Sequence, residues 1–514
     1  MRCVDGHAIV RGRPGETRRA NRCILRPVTS LTFSATTKSA LSKTRDLLVV
    51  APARAVGKQA KWIDRVLGRR KGNVLRKLAA DGDPGTRGKV VSTLDTETQW
   101  LRLGTLPDEV SRYNSPARAD AIRNVVATAG LASKGKCTIV LMLEDAAHML
   151  AAVNAIGRAL PSFSRKAESS TRKVHIVVVD AEGNALEVPE TVQHTVTFAR
   201  ESAELVDTPP TELDPEGFSK AARAMLEGLT GVKVTEIVGD KLLASGLMGI
   251  HAVGRSAKSP PRMLVASYQP AKAKLHVALV GKGVTFDTGG LHIKPRGSME
   301  GMKADMGGAA AVLGAFRVLV SAGCRHRVTL ILCMAENAND GLSYKPDDIL
   351  TMHSGKTVEI NNTDAEGRLL LADGVSWAAR ELAADVVIDA ATLTGAQLIS
   401  TGLLHAAIVS DDADLEKAAI DAGYASGDLT HPLIFAPELF QREFASPVAD
   451  MRNSVANRMN AQSSCAAQFV YAHLSGARGK RRWCHVDLAG PAFPKDRATG
   501  YGVALLSQLV EAID

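Results

Sequence analysis

Aromatic residues are scarce, at 4% of the 514-residue chain. A core built from large rings is therefore excluded, and close packing of small side chains between helices and strands is expected. No run of 18 or more apolar residues occurs, so no helical membrane span is expected. The seven cysteines (Cys3, Cys23, Cys137, Cys324, Cys333, Cys465, Cys484) are scattered and odd in number, and none is spaced Cys-x-x-Cys. That speaks against a disulfide framework or a zinc finger and for the reduced thiols of an intracellular protein. None of the thirteen histidines precedes a glutamate, so the His-Glu-x-x-His zinc pattern is missing, as is any Gly-x-Ser-x-Gly nucleophile elbow. Phe286 stands where Gly281-Lys282-Gly283 would need the third glycine of a dinucleotide fingerprint. Leu350 stands where Ser354-Gly355-Lys356-Thr357 would need the first glycine of a P-loop. Serine hydrolase, kinase and simple dehydrogenase chemistry thus have no motif to rest on.

What is present begins with charge. The net charge is +9, yet residues 1–45 hold ten basic side chains against two acidic ones and so carry +8 of it. The remaining body is near neutral and has no basic patch interleaved with aromatics, which argues against a nucleic-acid-binding role. An Arg-, Ser- and Thr-rich, acid-poor leader suits a mitochondrial presequence, and a solvated tail is the plain alternative. Residues 1–45 are expected to form such a leader. Residues 46–199 alternate short β-branched runs (Leu47–Val50, Cys137–Leu143, Val174–Asp180) with helical spacing over Asp145–Leu160, as in a small α/β domain. The stretch Val206–Pro215 is rich in Pro, Asp and Thr and marks the connection to a larger domain over 200–514. There the order is strand, Gly-rich turn, helix, repeated: Leu275–Val280, Asp305–Val320, Val328–Cys333, Gly367–Leu382, Asp385–Ala391. The fold class is therefore α/β with two domains. The larger has a mostly parallel sheet covered by helices on both faces, with ligands beyond the carboxyl ends of its strands.

Two stretches carry unusual polar content, Val280–Gly308 and Asn361–Leu371. Between them they offer carboxylates at Asp287, Asp305, Asp364 and Glu366 and cations at Lys282, Lys294 and Arg368. Four carboxylates packed together repel strongly, so either several hold protons or metal ions neutralise them. Two bridged divalent cations suit hydrolysis near neutral pH. An oxygen-rich set with one nitrogen suits Mn²⁺, Zn²⁺ or Co²⁺ without choosing between them. Taken alone, Lys282 would be a surface lysine or an anion binder, Asp305 a helix cap and Arg368 an ion-pair partner.

Asn362–Leu369, NTDAEGRL, resembles the signature of the leucyl aminopeptidase family of di-metal exopeptidases. The upstream GKGVTFDTGG, IKP and KADMGG blocks fit the same family in order and spacing, and DAATLTGA (Asp389–Ala396) and HVDLAGP (His485–Pro491) extend the likeness over roughly residues 200–514. The resemblance implies that Lys282, Asp287, Asp305, Asp364 and Glu366 hold two metal ions, with Asp287 and Glu366 bridging. It implies that Lys294 stabilises the oxyanion and that Arg368 holds a bicarbonate acting as general base. Met302, Asn362, Thr392, Leu393, Gly395 and Ala489 would shape a pocket for a Leu- or Met-like first residue of a peptide with a free N-terminus. It further implies a homohexamer in the cytoplasm, or in mitochondria should the leader be a presequence. Thr288, where serine is common, and Ser463–Ala467, in place of a Thr-Ala-Ala run, depart from the family pattern.

Overall fold

The structure is a computed structural model that describes residues 29–57, 59–167, 171–474, 476–477 and 481–514. Two separate sheets, each wrapped by helices, form the two halves of the chain, with a small third sheet beside the second.

The N-terminal sheet runs in the order Thr29–Phe33, Arg172–Val179, Gly135–Met142, Asp46–Pro52, Gln99–Leu106, Lys89–Asp95, with Ala185–Leu186 pairing on Arg172–Val179. Its central strands are parallel and only the Lys89–Asp95 and Ala185–Leu186 pairings are antiparallel. Asp46–Pro52 is buried along its whole length, which explains why it reads as a continuous apolar run rather than an alternating one.

The leader expected over 1–45 needs correction at its end. Thr29–Phe33 pairs in parallel with Arg172–Ile176 and forms an edge of the sheet. Thr37–Leu41 is a short helix whose Ala40 is fully buried, and the Thr44 hydroxyl lies 2.6 Å from that of Thr138. Only residues 1–28 of the proposed leader lie outside the described residues. A high Arg and Thr content obscured the strand, because an edge strand needs only one apolar face.

The second sheet has eight strands in the order Thr430–Pro432, Ala406–Ser410, Arg482–Asp487, Val386–Ala391, His276–Asp287, Arg327–Asn337, Arg262–Tyr268, Val232–Val238. The four from Arg482–Asp487 to Arg327–Asn337 are mutually parallel, so their carboxyl ends open on one side. Helix Gly307–Ser321 covers one face and helix Gly367–Arg380 the other, each within its own apolar cluster. The Met302–Ser321 segment is long and apolar enough to cross a membrane by length and composition, but 94% of it is buried inside the protein. It approaches the sheet so closely that a Cβ at Gly308 would lie 2.1 Å from the Ala390 carbonyl oxygen, so only glycine fits there. The described cysteines, Cys137, Cys324, Cys333, Cys465 and Cys484, are all free and buried.

The boundary drawn at 199/200 falls inside a helix. Glu190–Asp207 is continuous. Its Val192 and Val196 belong to the N-terminal core, and its Ala203, Leu205 and Val206 belong to the core of the second domain. Pro209–Pro210 does end the helix, as proline must.

A variant beginning at Asp46 is expected to melt below one beginning at Thr29, because it loses the edge strand and the buried Ala40. Each kcal/mol lost corresponds to roughly 2–4 °C in a domain of this size. Equal melting temperatures by calorimetry would return residues 29–45 to the status of a dispensable leader.

Candidate metal centre

Lys282 and Asp287 lie on one strand, His276–Asp287. At an odd separation a regular strand would send them to opposite faces. The pairing with Arg327–Asn337 matches Val284 to Ala335 and Asp287 to Asn337, so the strand carries one extra residue between them. This bulge re-aims Asp287 toward the side of Lys282. Asp305 sits in the turn Met302–Met306 that feeds the covering helix. Asp364 and Glu366 come from the loop before helix Gly367–Arg380, whose second residue is Arg368. Chain segments distant in sequence thus converge beyond the carboxyl ends of the parallel strands, where this architecture places ligands.

Charge organises the cluster. Lys282 is 3% exposed; its Nζ donates to Asp305 Oδ1 at 2.7 Å and to the Thr392 carbonyl at 2.9 Å, and lies 3.0 Å from Glu366 Oε1. Lys294 Nζ sits between Asp287 Oδ2 at 2.7 Å and Asp364 Oδ1 at 2.5 Å. Asp287, Asp364 and Glu366 each offer an oxygen, and these atoms all lie within 4.8 Å of one another. Four carboxylates therefore face two ammonium groups, and two negative charges go unmatched.

The protonation behaviour reflects that crowding. Burial pushes the Asp287 carboxyl up to about 6, with Glu366 adding and Lys294 and Lys282 opposing. Burial raises Asp305 well above the usual carboxylate range, against the pull of Lys282. Burial also works on Glu366, but Lys282 and Lys294 outweigh it and hold that carboxyl below its ordinary value. For Lys282 burial disfavours the charge, and Asp305, Glu366 and Asp287 more than offset it.

The donor set fits divalent cations. Asp305 Oδ2 is buried with no hydrogen-bond partner, as is Asn337 Oδ1. An orphaned carboxylate oxygen beside three clustered carboxylates is an arrangement that a cation relieves. The cap reading of Asp305 is not what the structure shows: helix Gly307–Ser321 has no side-chain cap at its start, and Asp305 Oδ1 accepts from Lys282 and from Thr392 Oγ1 at 2.9 Å. Nor is Arg368 an ion-pair partner, since none of the ion pairs among the described residues includes it. It is 5% exposed, its Nη1 donates to the Asn453 carbonyl at 3.0 Å, and its Nε is unpartnered. Burial brings this guanidinium down to about 10.

Several positioning residues were not visible in the sequence. Asn337 ends the neighbouring strand and donates to Asp287 Oδ1 at 2.8 Å and to the Thr363 carbonyl at 3.2 Å. Tyr344 is 1% exposed and also donates to the Thr363 carbonyl, at 2.7 Å. The Asn453 side chain holds the loop from both sides, accepting from Asn361 N and donating to the Asn362 carbonyl. Only knowledge of strand pairing could have brought Asn337 and Asn453 to the cluster. Thr288, a departure from the family pattern, donates its hydroxyl to the Asn337 carbonyl at 2.7 Å and so ties the two strand ends together.

Of the six pocket candidates, Thr392 touches Asp305 directly. Leu393 N and Ala489 N converge on one acceptor, Asp487 Oδ1, at 3.0 and 3.3 Å. Asn362 Oδ1 accepts from Asp364 N at 3.0 Å. Met302 opens the turn that carries Asp305 and is half-buried, and Gly395 is exposed at the start of helix Gly395–Ser400.

Comparison with known proteins is consistent with this geometry. A sequence model described as "Cytosol aminopeptidase family, catalytic domain" matches residues 199–507. The chain belongs to the cytosol aminopeptidase family. A second model, "M17 aminopeptidase N-terminal domain 2", matches residues 83–169. Mouse "Probable aminopeptidase NPEPL1" is 44% identical over 79% of this chain and 78% of its own length. "Leucine aminopeptidase 1" of Caenorhabditis elegans is 40% identical over 85% and 90%. Among solved structures, leucyl aminopeptidase from Trypanosoma cruzi superposes with a TM-score of 0.87 at 34% identity, covering 96% of this chain and 98% of that one. Leucyl aminopeptidase from Leishmania major in complex with actinonin gives 0.86 at 33%, covering 95% of each. This cytosol aminopeptidase is thus a hydrolase that removes N-terminal residues from peptides in a metal-dependent reaction, and its two-domain α/β fold is that of the family.

Gly367 lies against Lys282: a Cβ there would meet Lys282 Cε at 2.4 Å and Cδ at 2.6 Å. Gly367→Ala is expected to cut activity and metal content sharply although alanine favours a helix by up to about 1 kcal/mol. Parent-level activity with parent-level metal content would show that Lys282 has room to move.

Proposed function

We propose that Lys282, Asp287, Asp305, Asp364 and Glu366 would hold two divalent cations in this aminopeptidase, and that it prefers Leu- or Met-like first residues. The observation that carries the reading is the convergence of Asp287, Asp364 and Glu366 within 4.8 Å, beside the orphaned Asp305 Oδ2. Zn²⁺, Mn²⁺ and Co²⁺ all suit this oxygen-rich set.

When bound, such cations acidify a water and polarise the scissile carbonyl. The chain's own groups supply the rest. Lys282 serves as a ligand only as a neutral amine, and neighbouring divalent charge favours that form over the ammonium. Lys294, at 14% side-chain exposure, faces the open side of the cluster, and its positive charge stabilises the oxyanion that grows on the substrate. Arg368 presents a buried guanidinium with an unpartnered Nε, and its planar fork suits a small oxyanion such as bicarbonate, which would accept the proton of the attacking water. The substrate's free amine takes a place near Lys282, so an acetylated N-terminus is not accepted. Met302, Asn362, Thr392, Leu393, Gly395 and Ala489 line the pocket for the first side chain. Its apolar, adaptable Met302 and Leu393 favour Leu or Met. The cytoplasm is the proposed compartment, in keeping with the name of the family. A homohexamer is the proposed assembly, carried over from the resemblance and consistent with exposed apolar side chains such as Ile399, Ile434 and Met459. Any removable presequence would have to end before Thr29.

Chelation is expected to abolish hydrolysis of leucine amides and added divalent metal to restore it, with Asp287→Ala and Glu366→Ala beyond rescue. Two bound metals and normal turnover in either variant would remove the central assignment.

Lys294→Ala is expected to lower kcat by about 10²–10³-fold with little change in KM, the usual effect of losing one oxyanion donor. Arg368→Ala should lose rate, keep its metals and respond less to added bicarbonate. Metal loss on changing Arg368 would make it structural and exclude the anion role.

A further inference from the structure

The metal centre is not the only place where buried polar groups lack partners. A cavity of about 240 Å³ lies between the two domains, and none of the clustered carboxylates lines it. Its N-terminal-domain wall comes from helices Ala119–Thr128 and Met149–Ala159 and the loop before them. Its other wall comes from the Leu403–His405 loop, the end of helix Ala413–Ser426, and residues Pro491, Pro494 and Tyr501. The domains are tied together around it: His405 Nε2 lies 2.7 Å from the Tyr113 carbonyl, and the Tyr424 hydroxyl lies 3.1 Å from the Arg112 carbonyl.

Three features of the lining select a ligand. Asn154 lines the cavity and is 1% exposed, and neither its Oδ1 nor its Nδ2 has a partner. Leaving both ends of an amide unmatched is costly, so a ligand that both donates and accepts hydrogen bonds is favoured there. Arg123 and Arg158 both line the cavity. Burial, and then the charge of Arg158, lower the Arg123 guanidinium. Each has one carboxylate partner, Asp120 at 3.0 Å for Arg123 and the buried Asp428 for Arg158, and each retains N–H groups for an anion. Leu403, Leu404, Leu429 and Tyr501 supply apolar surface, beside the polar Ser111, Asn114, His405 and Ser426. The volume lies below the 300–1,000 Å³ typical of sites for drug-sized ligands, so the occupant is smaller still.

We propose that this interdomain cavity binds a free α-amino acid with an apolar side chain. Its carboxylate faces Arg123 and Arg158, its polar head meets the Asn154 amide and the Asp120 carboxylate, and its side chain packs on the leucines. Such a molecule belongs to the class of product that an aminopeptidase releases, but the inference does not depend on the metal assignments. The cavity also shares structure with the proposed substrate pocket. Gln397, in the helix that begins at Gly395, donates to the Gly402 and His405 carbonyls and accepts from Gly490 N at 2.6 Å, beside Ala489.

Equilibrium binding of labelled L-leucine to the full-length, metal-loaded enzyme tests the proposal. Two sites per chain are expected, one of them the catalytic site occupied by product. Asn154→Leu keeps the forked shape of the side chain, removes both polar atoms, and is expected to weaken one site by about tenfold or more, the worth of two hydrogen bonds of ordinary strength. Its kcat/KM without leucine should equal the parent's, and it should melt no lower than the parent because the orphaned groups are gone. Arg123→Met should weaken the same site, and isoamylamine, which lacks the carboxylate, should not compete there. A single leucine site in the parent, or unchanged binding in both variants, would show that the cavity holds only water and would overturn the proposal. Either result would leave the catalytic reading intact.

Discussion

The second domain is organised around one electrostatic problem, four carboxylates gathered beyond the ends of parallel strands. Like charges in a buried site are tolerated only when something compensates them. The compensation in the structure is Lys282 and Lys294, each wedged between two carboxylates. Much else in the domain follows from keeping these groups where they are. The bulge before Asp287 aims it, Gly367 leaves space for the lysine stem, and Asn337, Tyr344 and Asn453 pin the loops through backbone carbonyls. A lysine in the proposed metal set is unusual because its proton is normally held to about pH 10. Here the same amine neutralises carboxylates in the structure, and in the proposed metal centre it would give up its proton.

Part of the candidate site was legible in the sequence, for a physical reason. Residues that hold cations must be of particular types, and close approach demands glycine beside them, so NTDAEGRL and DMGG leave little freedom at each position. Asp287, Asp364 and Glu366 were named from sequence, and the structure brings them together. The groups that orient them were not legible. Asn337 and Asn453 act through pairings between segments far apart in the chain, and asparagine at the end of a strand carries no signal by itself. The parallel sheet was readable because each βα unit repeats locally, whereas the Val232–Val238 and Arg262–Tyr268 antiparallel edge was not distinguished from it.

The N-terminal half shows the opposite balance. Its sheet could be anticipated from β-branched runs, but Thr29–Phe33 has only one buried-facing side, and a basic, Thr-rich context disguised it. Charge composition describes solvation well and edge strands poorly, because an edge strand meets solvent over much of its surface. The same limit explains why the interdomain cavity escaped notice. Asn154 and Arg158 are the polar positions on a helix of otherwise apolar or small residues, and only packing reveals that the Asn154 amide has no partner.

Helix Glu190–Asp207 has a consequence for how the protein can be taken apart. Its first turns belong to one core and its last turns to the other, and Ser202 donates to the Ala310 carbonyl at 2.9 Å. A cut at residue 199 or 200 would divide one continuous rod and expose apolar faces on both fragments. The halves are thus poor candidates for modular exchange between relatives unless the junction is moved to Pro189 or to Thr208, where the rod begins and ends. A shared helix also couples local opening of either core to the other, so protection of its amides from solvent exchange would report the stability of the whole chain rather than of one domain.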